Sequence, residues 1–143
     1  MLELLAPAGN LDAVIAAVQN GADAVYMGFG DGFNARRSAD NFTRESFAKA
    51  VRYCHIRGCK VYVTLNTLVG DREMESAAAL AQQASDAGAD AILVQDLGLA
   101  RVLRDALPDI PLHASTQMSI HNLAGVEAAA EMGITRAVLS REL

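Results

Sequence analysis

The sequence contains no tryptophan and only two cysteines, and its aromatic residues make up just 5% of the chain. The cysteines, Cys54 and Cys59, form a single C-x4-C pair, which excludes a disulfide framework and a zinc site built from two such pairs. We interpret both as structural residues. A reducing cytoplasm is therefore the expected compartment.

Positive charge is also scarce, with 12 Lys and Arg against 17 Asp and Glu, a formal net charge of −5. This balance argues against binding nucleic acid through bulk positive charge, although it permits a local basic patch. No apolar run is long enough to cross a membrane, and the opening MLELLAPAG lacks the basic and long apolar regions of a signal peptide. The abundant component is apolar, at 52%, which is enough for one domain with a real core.

Short apolar runs alternate with helical patterns along the chain. Six runs flanked by Gly, Asn, Asp or Pro predict strands at residues 3–6, 24–27, 61–65, 91–94, 112–116 and 137–140. Five segments between them carry apolar residues at a period near 3.6 and predict helices. The tetrapeptide GADA occurs twice, at Gly21–Ala24 and Gly88–Ala91, where a predicted helix gives way to a strand.

This alternation predicts parallel strands joined by right-handed helical crossovers, hence an α/β fold. An open doubly wound sheet and a TIM-type (β/α)8 barrel both fit the pattern. A complete barrel needs about 250 residues. We interpret residues 1–143 as a single, incomplete barrel domain of about six strands and five helices, the N-terminal part of a longer domain. Its open parallel edges predict a homo-oligomer.

Both architectures place reactive groups at the carboxyl ends of the strands. Polar residues follow most of the predicted strands at that end: Asn66, Gln95, Asp96, His113, Ser115, Gln117, Ser119, His121, Ser140, Arg141 and Glu142. His113, Ser115 and Gln117 share one strand face at a period of two, which favours a joint role. Structural alternatives remain: Asn66, Asp96 and Ser119 as caps or turn formers, His113 as a core histidine, and Arg141 with Glu142 as a surface ion pair.

The predicted loop from Gly28 to Phe42 is longer than most such connections, which favours a functional loop. It contains Arg36 and Arg37 among glycines, a combination that suits an anionic ligand such as phosphate or carboxylate. Its G-x-G-x-G pattern follows the wrong strand for a dinucleotide fingerprint. A metal on His113, His121 and Glu142 has no supporting signature in the spacing.

Seven segments, taken in order, resemble the collagenase-like peptidase family, peptidase family U32: ELLAPAGN, GADAVYMG, FNARRSADNF, VYVTLNTL, ILVQDLG, LHASTQMSIHN and VLSREL. The resemblance covers almost the whole chain and implies the N-terminal part of the family's barrel. It also implies a continuation past SREL into a cysteine-rich segment, which holds an iron–sulfur cluster in several members. Cys54 and Cys59 do not match those ligands, so the cluster is expected outside this chain and no cofactor is expected on it.

The resemblance implies more than one function. Some members have been described as collagenases, others are linked to hydroxylation of tRNA or rRNA bases, and relatives act in oxygen-independent quinone hydroxylation. A hydrolase needs an activated nucleophile or a metal-bound water, and the sequence assembles neither clearly. We therefore predict the barrel region of an RNA-base hydroxylation enzyme, inactive by itself. A genuine peptidase acting on collagen-like or other proteins, and a non-catalytic fragment that self-associates, are the alternatives.

Under the preferred interpretation the candidate residues take separate roles. His113 and Glu142 are the acid–base candidates. Arg36 and Arg37 hold phosphate or another anion, and Arg141 orients Glu142 or binds charge itself. The remaining candidates hydrogen-bond the edges of the substrate, which is RNA or, for a peptidase, protein: Asn41, Asn66, Gln95, Ser115 and Gln117.

Overall fold

The computed structural model describes residues 2–35 and 41–142. Within these ranges the strands are β1 Leu5–Pro7, β2 Ala24–Met27, β3 Lys60–Leu65, β4 Ala91–Val94, β5 Leu112–Ala114 and β6 Ile134–Ala137. The helices are α1 Leu11–Gln19, α2 Arg44–Ile56, α3 Met74–Asp86, α4 Leu97–Ala106 and α5 Leu123–Glu131, with a 3₁₀ turn at Thr116–Met118. The predicted alternation of six strands and five helices is confirmed for this part of the chain.

The strands form one parallel sheet in the order β1-β2-β3-β4-β5-β6. A doubly wound sheet reverses its strand order at a switch point, whereas a barrel keeps the order of the chain. The side chains of Val61, Val63 and Leu65 pack with buried helix residues on one face of the sheet. On the other face Tyr62 packs with Leu93 in a small cluster of strand residues. Helices on one face and strand side chains on the other are the layers of a (β/α) barrel.

Local signals explain where the helices begin and end. The side chains of Asn10 and Thr43 cap α1 and α2, because they accept hydrogen bonds from backbone N–H groups in the first turns of these helices. Gly133, after α5, has a φ of 80°, a conformation that other residues rarely adopt, so the chain turns there into β6. Helix α3 begins at Met74, after a turn formed by residues 71–73.

The repeated GADA tetrapeptide has a structural role that follows from its aspartate. Oδ2 of Asp23 accepts the Leu4 N–H at 2.8 Å, and Oδ2 of Asp90 accepts the Val61 N–H at 2.7 Å. Each carboxylate therefore satisfies a backbone donor at the start of the preceding strand in the sheet. The two repeats fasten neighbouring strands together at the amino-end face of the barrel.

Several predicted strand boundaries are corrected. Strand β1 starts at Leu5, not Glu3, and β5 ends at Ala114 because Ser115 caps the 3₁₀ turn that follows. Strand β6 lies three residues earlier than predicted, at Ile134–Ala137, since its polar residues obscured the apolar pattern. Cys54 and Cys59 are free and buried, as their structural interpretation requires. None of the described helices combines the length and apolar character needed to span a membrane.

Candidate active site at the carboxyl ends of the strands

Two cavities open at the carboxyl ends of the strands, and their sizes differ greatly. The first lies beyond β1, β2 and β3, is lined by Asn34, Asn41 and Asn66 among others, and measures about 70 Å³. The second lies beyond β5 and β6 and measures about 510 Å³. Ligand pockets usually span about 300–1,000 Å³, so the second cavity is the candidate ligand site.

Asn41 uses both ends of its amide to close the loop after β2. Its Nδ2 donates to the Gly30 carbonyl at 2.7 Å, and its Oδ1 accepts from Asn34 Nδ2 at 3.1 Å. A parallel bridge between Phe29 and Phe42 closes the same loop at its base. The predicted contact of Asn41 with substrate stays a prediction, but the side chain already has a structural task.

Asn66, at the end of β3, links two parts of the barrel mouth. Its Oδ1 accepts the Ala35 N–H at 3.1 Å, and its Nδ2 donates to Ser115 Oγ at 3.1 Å. Ser115 Oγ also accepts the Gln117 N–H at 3.3 Å, which caps the 3₁₀ turn. Asn66 and Ser115, both predicted to bind substrate, thus connect the loop after β2 to the turn that carries Gln117.

Polar side chains line the whole of the larger cavity: Thr116, Gln117, Ser119, His121, Ser140, Arg141 and Glu142. They supply amide, hydroxyl, imidazole, guanidinium and carboxylate groups. Gln117, Arg141 and Glu142, three of the predicted site residues, are brought together here and are exposed. The arrangement can hydrogen-bond the edge of a polar ligand and pair with a negative group.

The backbone around this cavity is held from several sides. Ser119 has a φ of 60°, in the left-handed region that residues other than glycine seldom occupy. The Ser140 N–H donates to the Ile120 carbonyl at 2.8 Å, which joins the end of β6 to the segment after β5. Asn122 then caps α5 by accepting the Gly125 N–H at 2.8 Å. Strain of this kind persists where the surrounding structure fixes it, commonly at functional sites.

Glu142 has a pKa below its usual value. The largest cause is a hydrogen bond from its own backbone N–H, followed by one from the Ser140 side chain, and the charges of Arg141 and His121 lower it further. The carboxyl group is therefore ionised at neutral pH. It can accept a hydrogen bond or balance a positive charge, but it does not hold a proton to donate at that pH.

His113 does not lie in this site, which corrects its predicted position. It lines a different cavity with Lys60 and Arg136, near the beginnings of the strands, and its ring contacts Tyr62 edge-on with the centroids 4.9 Å apart. Burial, and next the charge of Arg136, lower the pKa of His113 to about 4. The predicted strand face shared by His113, Ser115 and Gln117 is wrong for Gln117, because β5 ends at Ala114 and Gln117 lies in the 3₁₀ turn. Alternation also did not predict that His113 lies at the opposite end of the strands from Glu142. Its catalytic role stays a prediction, without support from this position.

The other candidate residues do not line the larger cavity or lie outside the described residues. Gln95 is half-buried directly after β4. Asp96 is the cap of α4, because its Oδ1 accepts the Leu99 N–H at 2.7 Å. Arg36 and Arg37 lie outside the described residues, so their predicted contact with an anion stays a prediction.

Sequence reasoning assigned no catalytic or substrate-binding role to His121. The position of His121 among the polar residues that follow β5 could have indicated a role in the site. The acid–base role was instead predicted for His113, which lies on the strand itself. The structure places His121 in the larger cavity with Arg141 and Glu142.

The residues that the structure describes do not fit a metal or an iron–sulfur cluster. Among those described, no three His, Cys, Asp or Glu side chains converge as ligands. Burial raises the pKa of Cys54 to about 12, which opposes the thiolate form that a cluster binds. The expectation that cluster ligands lie elsewhere in a longer protein stays a prediction.

Sequence comparison matches residues 9–143 to peptidase family U32. The chain belongs to this family. Three relatives show the range of names within it. A 23S rRNA 5-hydroxycytidine synthase of Escherichia coli is 42% identical over 99% of this chain, a tRNA hydroxylation protein of Bacillus subtilis 39% over 98%, and a collagenase of Porphyromonas gingivalis 33% over 99%. This U32 chain spans 21%, 33% and 33% of their respective lengths.

Solved structures agree on the fold. A U32 peptidase superimposes with a TM-score of 0.77 at 15% identity, covering 97% of this chain and 58% of the other. A phosphonopyruvate hydrolase superimposes with a TM-score of 0.64 at 19% identity, covering 99% and 54%. At these identities the likeness establishes a TIM-barrel-like fold for the U32 chain.

Proposed function

We propose that this U32 chain is the substrate-binding barrel region of an enzyme that hydroxylates a base in tRNA or rRNA. One observation carries the proposal: relatives named for RNA hydroxylation are 32% to 42% identical to it over at least 98% of its length. Since the chain spans at most 34% of those relatives, the proposal concerns the full-length protein. Cytoplasmic RNA is its expected partner.

The larger cavity supports this proposal by its chemistry. Bases in single-stranded or flipped positions are recognised by hydrogen bonds to their edges and by contacts to the backbone phosphates. Gln117 offers both a donor and an acceptor, and Arg141 offers a cation for phosphate. A cavity of about 510 Å³ lined in this way suits a polar group such as a nucleobase.

In this proposal the barrel binds and orients the substrate, and its residues carry out no oxidative step. Among the described residues, no three His, Cys, Asp or Glu side chains lie close enough together to act as ligands. We place any cluster in the remainder of the full-length protein, where the U32 resemblance expects its ligands.

Mass spectrometry of nucleosides from total RNA tests the proposal. Cells lacking the full-length gene are compared with the same cells carrying it on a plasmid. We expect the deletion to remove a nucleoside heavier than its parent by one oxygen atom, and the plasmid to restore it. An identical nucleoside profile in both strains would refute RNA hydroxylation as the function.

A peptidase is the second candidate, favoured by the 33% identity to the collagenase of Porphyromonas gingivalis. It predicts cleavage of gelatin or casein by the purified full-length protein. Cleavage together with an unchanged nucleoside profile would establish the peptidase in place of the RNA enzyme.

A further inference from the structure

The orientation of the His121 ring follows from a single hydrogen bond. Its Nδ1 lies 2.9 Å from the carbonyl oxygen of Ser119. A carbonyl oxygen only accepts, so Nδ1 carries the proton of this bond. In a neutral imidazole the other nitrogen, Nε2, is then an acceptor with a lone pair.

The backbone on both sides of His121 is fixed. Ser119, which supplies the carbonyl, is held in the left-handed conformation, and the Ile120 carbonyl accepts the Ser140 N–H at 2.8 Å. On the other side Asn122 is the cap of α5. The ring is thus positioned before any ligand arrives, which reduces the ordering cost of binding.

The surroundings of His121 contain several hydrogen-bonding groups. Gln117, Arg141 and Glu142 line the same cavity. Arginine only donates, and the glutamine amide both donates and accepts. A neutral imidazole nitrogen adds an uncharged acceptor to this set.

We propose that His121 is a substrate-contacting residue that accepts a hydrogen bond through Nε2 from an N–H or O–H group of the substrate. For an RNA base the donor is an exocyclic amine or a ring imino group on its hydrogen-bonding edge. This inference rests on the proposed function and names a specificity residue of the same cavity.

Two substitutions separate this role from a purely structural one. In His121→Asn the side-chain amide can take over the Nδ1 donation to Ser119, but nothing replaces Nε2. In His121→Gln the longer side chain can place an amide oxygen near the Nε2 position, while the Nδ1 donation is lost. His55→Gln is the matched control, because His55 lies on α2 and pairs with Asp90 away from the cavity.

The variants are expressed as full-length protein in the deletion strain, and the hydroxylated nucleoside is measured in growing cells, together with the thermal stability of each purified protein. We expect His121→Asn to lower modification about tenfold or more, as loss of a hydrogen bond to a buried substrate group would. His121→Gln should retain a substantial part, and His55→Gln should match wild type.

Three results would overturn the inference: an active asparagine variant with an inactive glutamine variant, two fully active variants, or two inactive ones. The first assigns His121 a role in holding Ser119, the second removes it from the site, and the third shows that an acceptor at the Nε2 position is not the feature that matters. The proposed function fails separately, if wild-type plasmid restores no modified nucleoside.

Discussion

Glu3, Tyr62, His113 and Arg136 meet inside the barrel near the beginnings of the strands. Arg136 and the Tyr62 hydroxyl both donate to the Glu3 carboxylate, and the Arg136 guanidinium lies 5.7 Å from the Tyr62 ring centroid. Arg136 is the main cause of the lowered pKa of Glu3. The contact between Glu3 and Arg136 joins the segment before β1 to β6. It therefore links the two edges of the sheet, which are β1 and β6. His113 packs against it as a neutral, buried ring.

The titration of His113 predicts a loss of stability in mild acid. Between pH 6.5 and about 4 the unfolded chain binds a proton at this histidine and the native protein does not, so the free energy of unfolding falls as pH falls. The effect is about 2 kcal/mol by pH 4.5. Glu3 adds to this loss of stability only at lower pH, as the pH falls through the lowered pKa of its own carboxyl group.

Urea unfolding at pH 7 and pH 4.5 measures this effect in wild type and His113→Gln. The glutamine does not titrate, so the variant should lose about 2 kcal/mol less than wild type between the two pH values. Equal losses in both proteins would show that His113 is protonated as readily in the native state as in the unfolded chain.

The loop after β2 depends on a glycine at the strand end. A methyl group on Gly28 would lie 2.1 Å from Asn41 Oδ1 and 2.4 Å from Asn34 Nδ2, so the amides that close the loop would have to move. The φ of Gly28 is not in the left-handed region, so an alanine there carries no backbone strain of its own.

Gly28→Ala should therefore destabilise the protein by about 1–3 kcal/mol, as overpacking does, although alanine for glycine at an unstrained site is ordinarily stabilising by about 0.4–1 kcal/mol. Gly70→Ala is the control, since its methyl group would meet only Glu73 Oε2 at 3.4 Å. Urea unfolding of both variants checks the contrast. A Gly28→Ala protein as stable as the control would mean that the loop amides move freely.

Sequence periodicity predicted the elements well because their signals are local. The caps Asn10 and Thr43 and the turn at Gly133 act within a few residues of the helix ends they define. The site was predicted less well. A period of two shows which face of the strand a side chain lies on, but not whether it is near the amino or the carboxyl end of the strand. That limit misplaced His113. The pairing of Glu3 with Arg136, 133 residues apart, has no local signal at all.

At the scale of the whole molecule, the sheet has two edges, β1 and β6, that the described residues leave unpaired with each other. Leu2 and Leu4 precede β1 and are exposed, at 98% and 55%, and Leu139 follows β6 at 41%. Exposed parallel edges with apolar neighbours attract further strands. Self-association through these edges stays a prediction for this U32 chain.

The central claim is that substrate binds at the carboxyl ends of β5 and β6. The most direct measurement compares Arg141→Gln with Arg101→Gln in the full-length protein, by the amount of hydroxylated nucleoside each restores to the deletion strain. Arg141 lines the cavity, whereas Arg101 is 81% exposed on α4 and pairs with Asp105. We predict that Arg141→Gln restores about tenfold less than wild type and that Arg101→Gln restores the same amount. Full restoration by Arg141→Gln would contradict the account.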